Sequence, residues 1–308
     1  MRRALKQIAF LLLGFCPLAQ AQVTYTGTTT DDSFLATGSP QNPEGTDLTA
    51  ENFGAAGVLA VAPEVSTGGE FQTVLKFDLS SATNLFAETY GSNWIISAIS
   101  LDFAGNFATQ GAQPDNAMFN PVNTGNFVIE WMADDDWSEG TGKPMSPTMN
   151  GVTYDSLSSL LAGAHEPLCT NTYVPPGNNV HALWPLPLNQ DLVTNILAGG
   201  PVSFRLYAAD SQISYLFNSH NFGNGNQPLI HVTAVQLPIL LSGGITNGWF
   251  CLNGIGNSTA TYFVQACTNL STANWQSVGT AVASGTGVIQ FSDTNAPNRP
   301  QQFYRLSQ

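Results

Sequence analysis

Phe71-Gln72-Thr73-Val74-Leu75-Lys76-Phe77-Asp78-Leu79 is the stretch that decides the fold. Phe71, Thr73, Leu75, Phe77 and Leu79 fall on one side of an extended chain; Gln72, Val74, Lys76 and Asp78 fall on the other. A period of two sets one face on a core and one toward solvent, so this is a β-strand. The pattern recurs outward from it. Ile95, Ser97, Ile99, Leu101 and Phe103 form one face of a second strand, and Phe127, Ile129 and Trp131 one face of a third. Val202, Phe204 and Leu206 mark a fourth, and Leu229 to Val235 is β-branched. Gly, Pro and Asn clusters such as 39–43 and 221–228 separate them as turns. Two short helices are predicted between strands, one over 155–163 and one over 189–199, each with a capping residue, a shared leucine-rich face and a terminal Gly. The class is all-β.

Residues 1–21 have the form of a secretory signal: Arg2, Arg3 and Lys6, then apolar Ile8 to Phe15, then Ala19-Gln20-Ala21. The mature chain is then expected to begin at Gln22, secreted or held at the cell surface. Phe15 before Cys16 is too large for a lipid-attachment site. No later apolar run reaches the roughly 18 residues of a membrane span.

Three of the eight basic residues lie in that segment, leaving five against 21 acids, a net charge of −16. Such a surface cannot displace counterions from a phosphate backbone, which excludes nucleic acid as a partner. Charged residues make up 9% of the chain, far below the typical ~25%, so Ser, Thr, Asn, Gln and Gly must cover the surface. With 43% hydrophobic residues a sizeable core is still available. Cys169, Cys251 and Cys267 remain after processing, an odd number. A hairpin of 248–253 with 261–267 would set Cys251 and Cys267 too far apart for a disulfide, which needs Cα atoms within ~7 Å.

Organisation follows from the turns. Residues 22–236 form a first domain, 237–244 with its Pro and Gly pair reads as a linker, and 245–308 holds five further strand signals, enough for a small sandwich. In the first domain, Asp32-Ser33-Phe34-Leu35, the loop Asn42-Pro43-Glu44-Gly45, Thr73 to Ser80, Ile96 to Leu101, Trp137-Ser138-Glu139-Gly140 and Gln227-Pro228-Leu229-Ile230 follow one another in an order that resembles the secreted bacterial jelly-roll domain named for the motif DNRLRE. The resemblance covers roughly 30–236 and implies a jelly-roll β-sandwich related to carbohydrate-binding modules. Lys76 stands where that family has Arg, and Asn218-Ser219-His220-Asn221 replaces its late basic segment. The stretch from Tyr262 to Leu270, Trp275 and Phe303-Tyr304-Arg305-Leu306 are similar to a C-terminal module of secreted verrucomicrobial-type proteins, which implies a small Ig-like or fibronectin-like β-sandwich.

Asp134-Asp135-Asp136-Trp137-Ser138-Glu139 is the densest acidic cluster. Asp134, Asp136 and Glu139 are the candidate ligands of a Ca²⁺ ion, since hard cations take carboxylate oxygens, although the spacing is not that of an EF-hand. Asp31, Asp32 and Asp47 are a second, sparser acidic set. Trp137, in polar sequence, and Trp184, between prolines, are candidate sugar platforms, because an aromatic face stacks on the C–H face of a pyranose. Tyr173, Arg205 and His220 complete the candidate ligand-binding set. His165, His181, His220 and His231 are scattered without zinc-motif spacing.

No G-x-S-x-G elbow is present, and no acid/base pair is singled out by spacing. The expectation is a non-catalytic, polysaccharide-directed binding protein, with a polysaccharide lyase or glycoside hydrolase as the enzymatic alternative. A structural or assembly protein of the envelope or an extracellular matrix, associating with itself or an envelope partner, is the other reading. Glycan binding predicts a concave aromatic-lined face, assembly predicts a flat exposed edge, and an enzyme predicts convergent titratable groups in a deep pocket.

Overall fold

The computed structural model describes residues 22–42, 45–66, 68–106, 119, 124–174, 177–223, 225–237, 239–246, 249–256, 259–285, 287–296 and 302–307. The signal segment expected at 1–21 lies outside them. The chain divides into two units, one spanning Val23–Ala234 and one beginning at Val235. Both are antiparallel β-sandwiches, as the alternating patterns require.

The first unit opens with β1 (Val23–Ala36), β2 (Val58–Val61) and β3 (Phe71–Asp78), followed by α1 (Ser80–Tyr90) and β4 (Trp94–Ala104). Then come β5 (Gly125–Met132), α2 (Leu157–Leu160), β6 (His165–Tyr173), β7 (His181–Leu186) and α3 (Gln190–Ala198). β8 (Pro201–Ala208), β9 (Tyr215–Asn218), a 3₁₀ turn (His220–Phe222) and β10 (Leu229–Gln236) complete it. Eight strands form one continuous sheet in the order β6-β5-β8-β3-β1-β10-β4-β7, while β2 pairs with β9. The sheet folds back on itself at β1. The first half of that strand pairs with β10 and the second half with β3, with a register shift between Thr29 and Asp31. The halves on either side, sheet A (β1-β10-β4-β7) and sheet B (β1-β3-β8-β5-β6), enclose one core in a jelly-roll-like sandwich. Leu75, Phe77, Phe127, Ile129, Phe204 and Leu206 of sheet B meet Ile99, Leu101, Phe103, Ile230 and Val232 of sheet A in it. Phe127 meets Trp184 edge-on across the sandwich at 5.0 Å.

Helix α1 is not among the elements expected from the sequence; Ala82, Phe86 and Tyr90, four apart, bury its inner face. The helix expected at 189–199 is α3. Asn189 caps it by accepting from the Asp191 and Leu192 amides, and Gly199 ends it in the left-handed region at φ +71°. The helix expected at 155–163 is only the single turn α2. Among the described residues no helix is long and apolar enough to cross a membrane.

The second unit contains β11 (Ile239–Thr246), β12 (Trp249–Ile255), β13 (Thr261–Cys267), β14 (Gln276–Val282), β15 (Val288–Asp293) and β16 (Phe303–Ser307). They form two three-stranded sheets, β11-β12-β15 and β14-β13-β16. Leu252, Tyr262, Val264, Ala281, Ala283 and Ile289 fill the core. Two expectations are corrected. The linker expected at 237–244 is largely strand β11, paired along β12 from Ile239↔Ile255 to Thr246↔Trp249, because Gly243 and Gly244 sit in extended backbone rather than in a turn. And β12 and β13 are not a hairpin but belong to different sheets. Cys169, Cys251 and Cys267 are free thiols.

Sheet B departs from the one-face pattern as well. Val74 and Met132 on its outer face are fully buried, together with Leu35, under Trp137, Val152, Leu157 and Leu160. The segment after β5 folds back over this face and keeps it dry. Trp137 is 8% exposed, its indole N–H donates to Ser203 Oγ at 3.0 Å, and the Lys76 ammonium lies 4.6 Å from its ring centre. The expected sugar platform is thus a core residue. Trp137→Ala is expected to lower the unfolding free energy by about 3–5 kcal/mol in urea denaturation, the range for removing a buried aromatic.

Candidate functional site

Strand alternation puts the successive aspartates Asp31 and Asp32 on opposite sides of β1, and the register shift before them sets which one faces inward. Asp31 turns outward and pairs with Lys76 at 3.3 Å. Asp32, opposite Leu75, is fully buried. Its Oδ2 accepts the backbone N–H of His220 at 2.8 Å and the hydroxyl of Thr29 at 3.3 Å, and lies 3.4 Å from His220 Nδ1. His220 opens the 3₁₀ turn, which Ser219 caps by accepting from the Asn221 amide. Ser219 Oγ in turn donates to the Ala56 carbonyl at 2.6 Å.

The third group is Glu139, from the segment after β5. Its Oε1 lies 3.2 Å from His220 Nδ1 and accepts from Asn221 Nδ2 at 2.7 Å, while its backbone N–H donates to Asp31 Oδ1 at 3.2 Å. One ligating atom from each of Asp32, Glu139 and His220 falls within 4.8 Å of the others.

Asn52 fixes that segment. Fully buried, it donates from Nδ2 to the carbonyls of Glu139 (2.6 Å) and Val152 (2.7 Å), and its Oδ1 accepts the amides of Gly54 (3.1 Å) and Gly142 (3.0 Å). All four hydrogen-bonding sites of the amide are used. Gly54 must be glycine, since a Cβ there would run into the Glu139 carbonyl.

Burial pushes the Glu139 carboxyl up to about 7, helped by the charges of Asp32 and Asp31 and opposed by His220. His220 is also raised, chiefly by its hydrogen bond to Asp32 and despite burial, with the charges of Asp32, Glu139 and Asp31 adding to it. Two carboxyls and one imidazole can hold a shared proton here, or a cation in its place.

Of the leading candidates from the sequence, only Glu139 and His220 come together. Asp134 and Asp136 instead form a local turn in which Asp134 Oδ1 accepts the Asp136 amide at 2.9 Å. With Ala133, Asp135, Gly163 and Pro201 they line an open depression. Trp184 is half-buried against Phe127. Tyr173 is buried and stacked on Tyr215 at 4.0 Å, so burial holds its hydroxyl protonated well above the usual range. Asp47 is exposed and bonded to Thr49. Asp32, a member of the sparser acidic set, supplies the buried ligand, though its partners lie 107 and 188 positions along the chain.

Arg205 belongs to a second constellation, on the part of sheet B's outer face beyond the Trp137 cover. Its Nε donates to Gln72 at 2.6 Å, Nη1 meets Glu130 at 2.8 Å, and its guanidinium stacks over Tyr207 at 4.3 Å. The ladder continues from Gln72 Nε2 to Glu70 (2.7 Å) and from Glu130 to His165 Nδ1 (3.0 Å). Tyr154 donates to Glu70, and burial followed by that bond pushes its hydroxyl up to about 12.

No protein-family model matches the chain and no curated protein matches it. Among solved structures, a Lactobacillus rhamnosus β-glucuronidase is similar at 11% identity and a TM-score of 0.25, with 89% of this chain and 39% of that chain covered. A likeness this slight carries no argument about activity.

Both upward shifts mean that the folded chain holds more protons than the unfolded one, between the ordinary 4.5 of Glu139 and about 7 and again above the ordinary 6.5 of His220. Stability is therefore lost as pH rises through this window. In chelator, urea denaturation is expected to show an unfolding free energy that falls as pH rises from about 4.5 to 7 and goes on falling above 6.5 as His220 titrates, with a shallower fall in Glu139→Gln.

Proposed function

We propose that the chain is an exported, non-catalytic protein that binds polysaccharide on the outer face of sheet B. The observation that carries this reading is the hydrogen-bonded ladder Tyr154–Glu70–Gln72–Arg205–Glu130–His165, with Tyr207 stacked beneath the guanidinium. Sugar hydroxyls are recognised by planar polar side chains held in place before the ligand arrives, and sugar C–H faces by aromatic rings. Gln72 and Glu130 are buried and hold Arg205 in place, so the groups a ligand can reach include Arg205, Tyr207 and His165. Among the described residues Arg205 engages only its Nε and Nη1, which leaves donors of its five-donor fork for a ligand. The resemblance to carbohydrate-binding jelly rolls points the same way.

The test is affinity electrophoresis of residues 22–308 through a panel of soluble neutral and acidic polysaccharides. Retardation by at least one is expected. Tyr207→Ala should weaken it roughly tenfold, about 1.4 kcal/mol, with an unchanged circular dichroism spectrum. No retardation anywhere in the panel would remove the reading.

A second reading, assembly, has its own observation. Edge strand β11 exposes Leu240, Leu241 and Ile245 and carries no Lys, Pro or acid that would discourage pairing with another edge. If it prevails, sedimentation equilibrium will show mass rising with concentration, and Leu241→Lys will abolish the rise.

A further inference from the structure

We infer that Asp32, Glu139 and His220 form a binding site for a divalent cation of the zinc type. The inference is independent of the glycan reading, since none of the three belongs to the Arg205 ladder.

The donors come from three segments: β1, the segment after β5, and the turn before β10. His220 Nδ1 stands 3.4 Å from Asp32 Oδ2 and 3.2 Å from Glu139 Oε1. A tetrahedral ion ~2.1 Å from each donor has ligand–ligand edges of about 3.4 Å; the two edges to His220 already match this, and the edge between Asp32 and Glu139 lies within 4.8 Å. Asp32 is fully buried, and its other oxygen, Oδ1, is buried with no hydrogen-bond partner. A buried carboxylate oxygen left this way calls for a counter-charge. Among the described residues no Lys or Arg forms an ion pair with Asp32 or Glu139; Lys76 is engaged with Asp31. The surroundings have the form of an outer ligand shell, with Thr29 and the His220 amide orienting Asp32 and Asn221 orienting Glu139. The His220 side chain is 28% exposed, which leaves a path in from solvent.

Donor chemistry selects the ion. Calcium and magnesium take oxygen ligands, whereas one imidazole with two carboxylates suits zinc and its neighbours. Three protein ligands leave a fourth position for water. A bound ion would tie β1, the cover of sheet B and the 3₁₀ turn together, so binding should raise stability.

The experiment uses untagged residues 22–308 stripped with chelator, then dialysed against Zn²⁺ or Ca²⁺. Metal content and thermal melting are the readouts. One Zn²⁺ per chain and a raised Tm are expected, with no comparable shift from Ca²⁺. Glu139→Gln and His220→Asn should each weaken Zn²⁺ at least tenfold while keeping the wild-type circular dichroism spectrum. Glu139 is partly exposed and held by its backbone, so Glu139→Gln tests the site even if His220→Asn fails to fold. Wild-type chain that retains no Zn²⁺, Zn²⁺ retained equally by Glu139→Gln (as binding at the three free thiols would give), or stabilisation by Ca²⁺ alone would overturn the assignment.

Discussion

The first unit depends on one strand serving two sheets. β1 is hydrogen-bonded to β10 over Val23–Thr28 and to β3 over Thr29–Ala36, and the extra residue at the changeover turns it from one sheet into the other. The sandwich therefore needs no separate corner. Neighbouring strand residues point to opposite faces in any case; the bulge, by resetting the parity, decides that Asp32 rather than Asp31 is the one that faces inward. Asp31 joins the outer face beside Lys76, and Asp32 is carried inside. A hydrophobic residue at 32 would satisfy the core equally well in area. Among the described residues the carboxylate there is held by donors arriving from the 3₁₀ turn and Thr29, so the turn is fixed by the strand as much as the strand by the turn.

The segment between β5 and β6 then decides what the surface offers. It folds over sheet B because Trp137, Val152, Leu157 and Leu160 supply an apolar underside for Leu35, Val74 and Met132. Apart from α2 its backbone forms no named strand, and Asn52 helps hold it by satisfying the Glu139 and Val152 carbonyls and the Gly142 amide from inside. Around Arg205 the outer face becomes a ladder of polar groups, in which Gln72 and Glu130 are buried and Tyr154 of the same connection closes on Glu70. One strand parity thus carries a dry half and a polar half.

The strands were legible in the sequence because period two is a local property, and β3, β4, β5 and β8 lie where their alternation put them. The failures share a cause. α1 follows β3 directly, and its Ala82, Phe86 and Tyr90 are too widely spaced to stand out beside a strong strand. β11 was hidden by its glycine pair. Trp137 sits among acids, which suggested a solvent-facing ring, yet the ring turns in while the neighbouring Asp136 stays exposed. The site itself was half legible: Glu139 and His220 were singled out for unrelated reasons. Nothing local shows that β1 brings Asp32 to them, because convergence at a site depends on topology rather than on spacing.

The shortage of Lys and Arg gives the histidines a part that their scattered positions did not suggest. Each of the four lies against a carboxylate: His165 against Glu130, His181 and His231 against Asp102, and His220 against Asp32 and Glu139. The pairings are not equivalent. Glu130 has Arg205 as well as an imidazole, and Asp102 has two imidazoles. At His220 the ratio is reversed, with two carboxyls facing one ring. In a low-dielectric setting that imbalance must be met by a proton on Glu139 or by a cation, because a second buried negative charge is far more costly than either. The excess of acid over Lys and Arg in the sequence therefore concentrates, at one point, into a demand for positive charge that no Lys or Arg among the described residues meets by an ion pair.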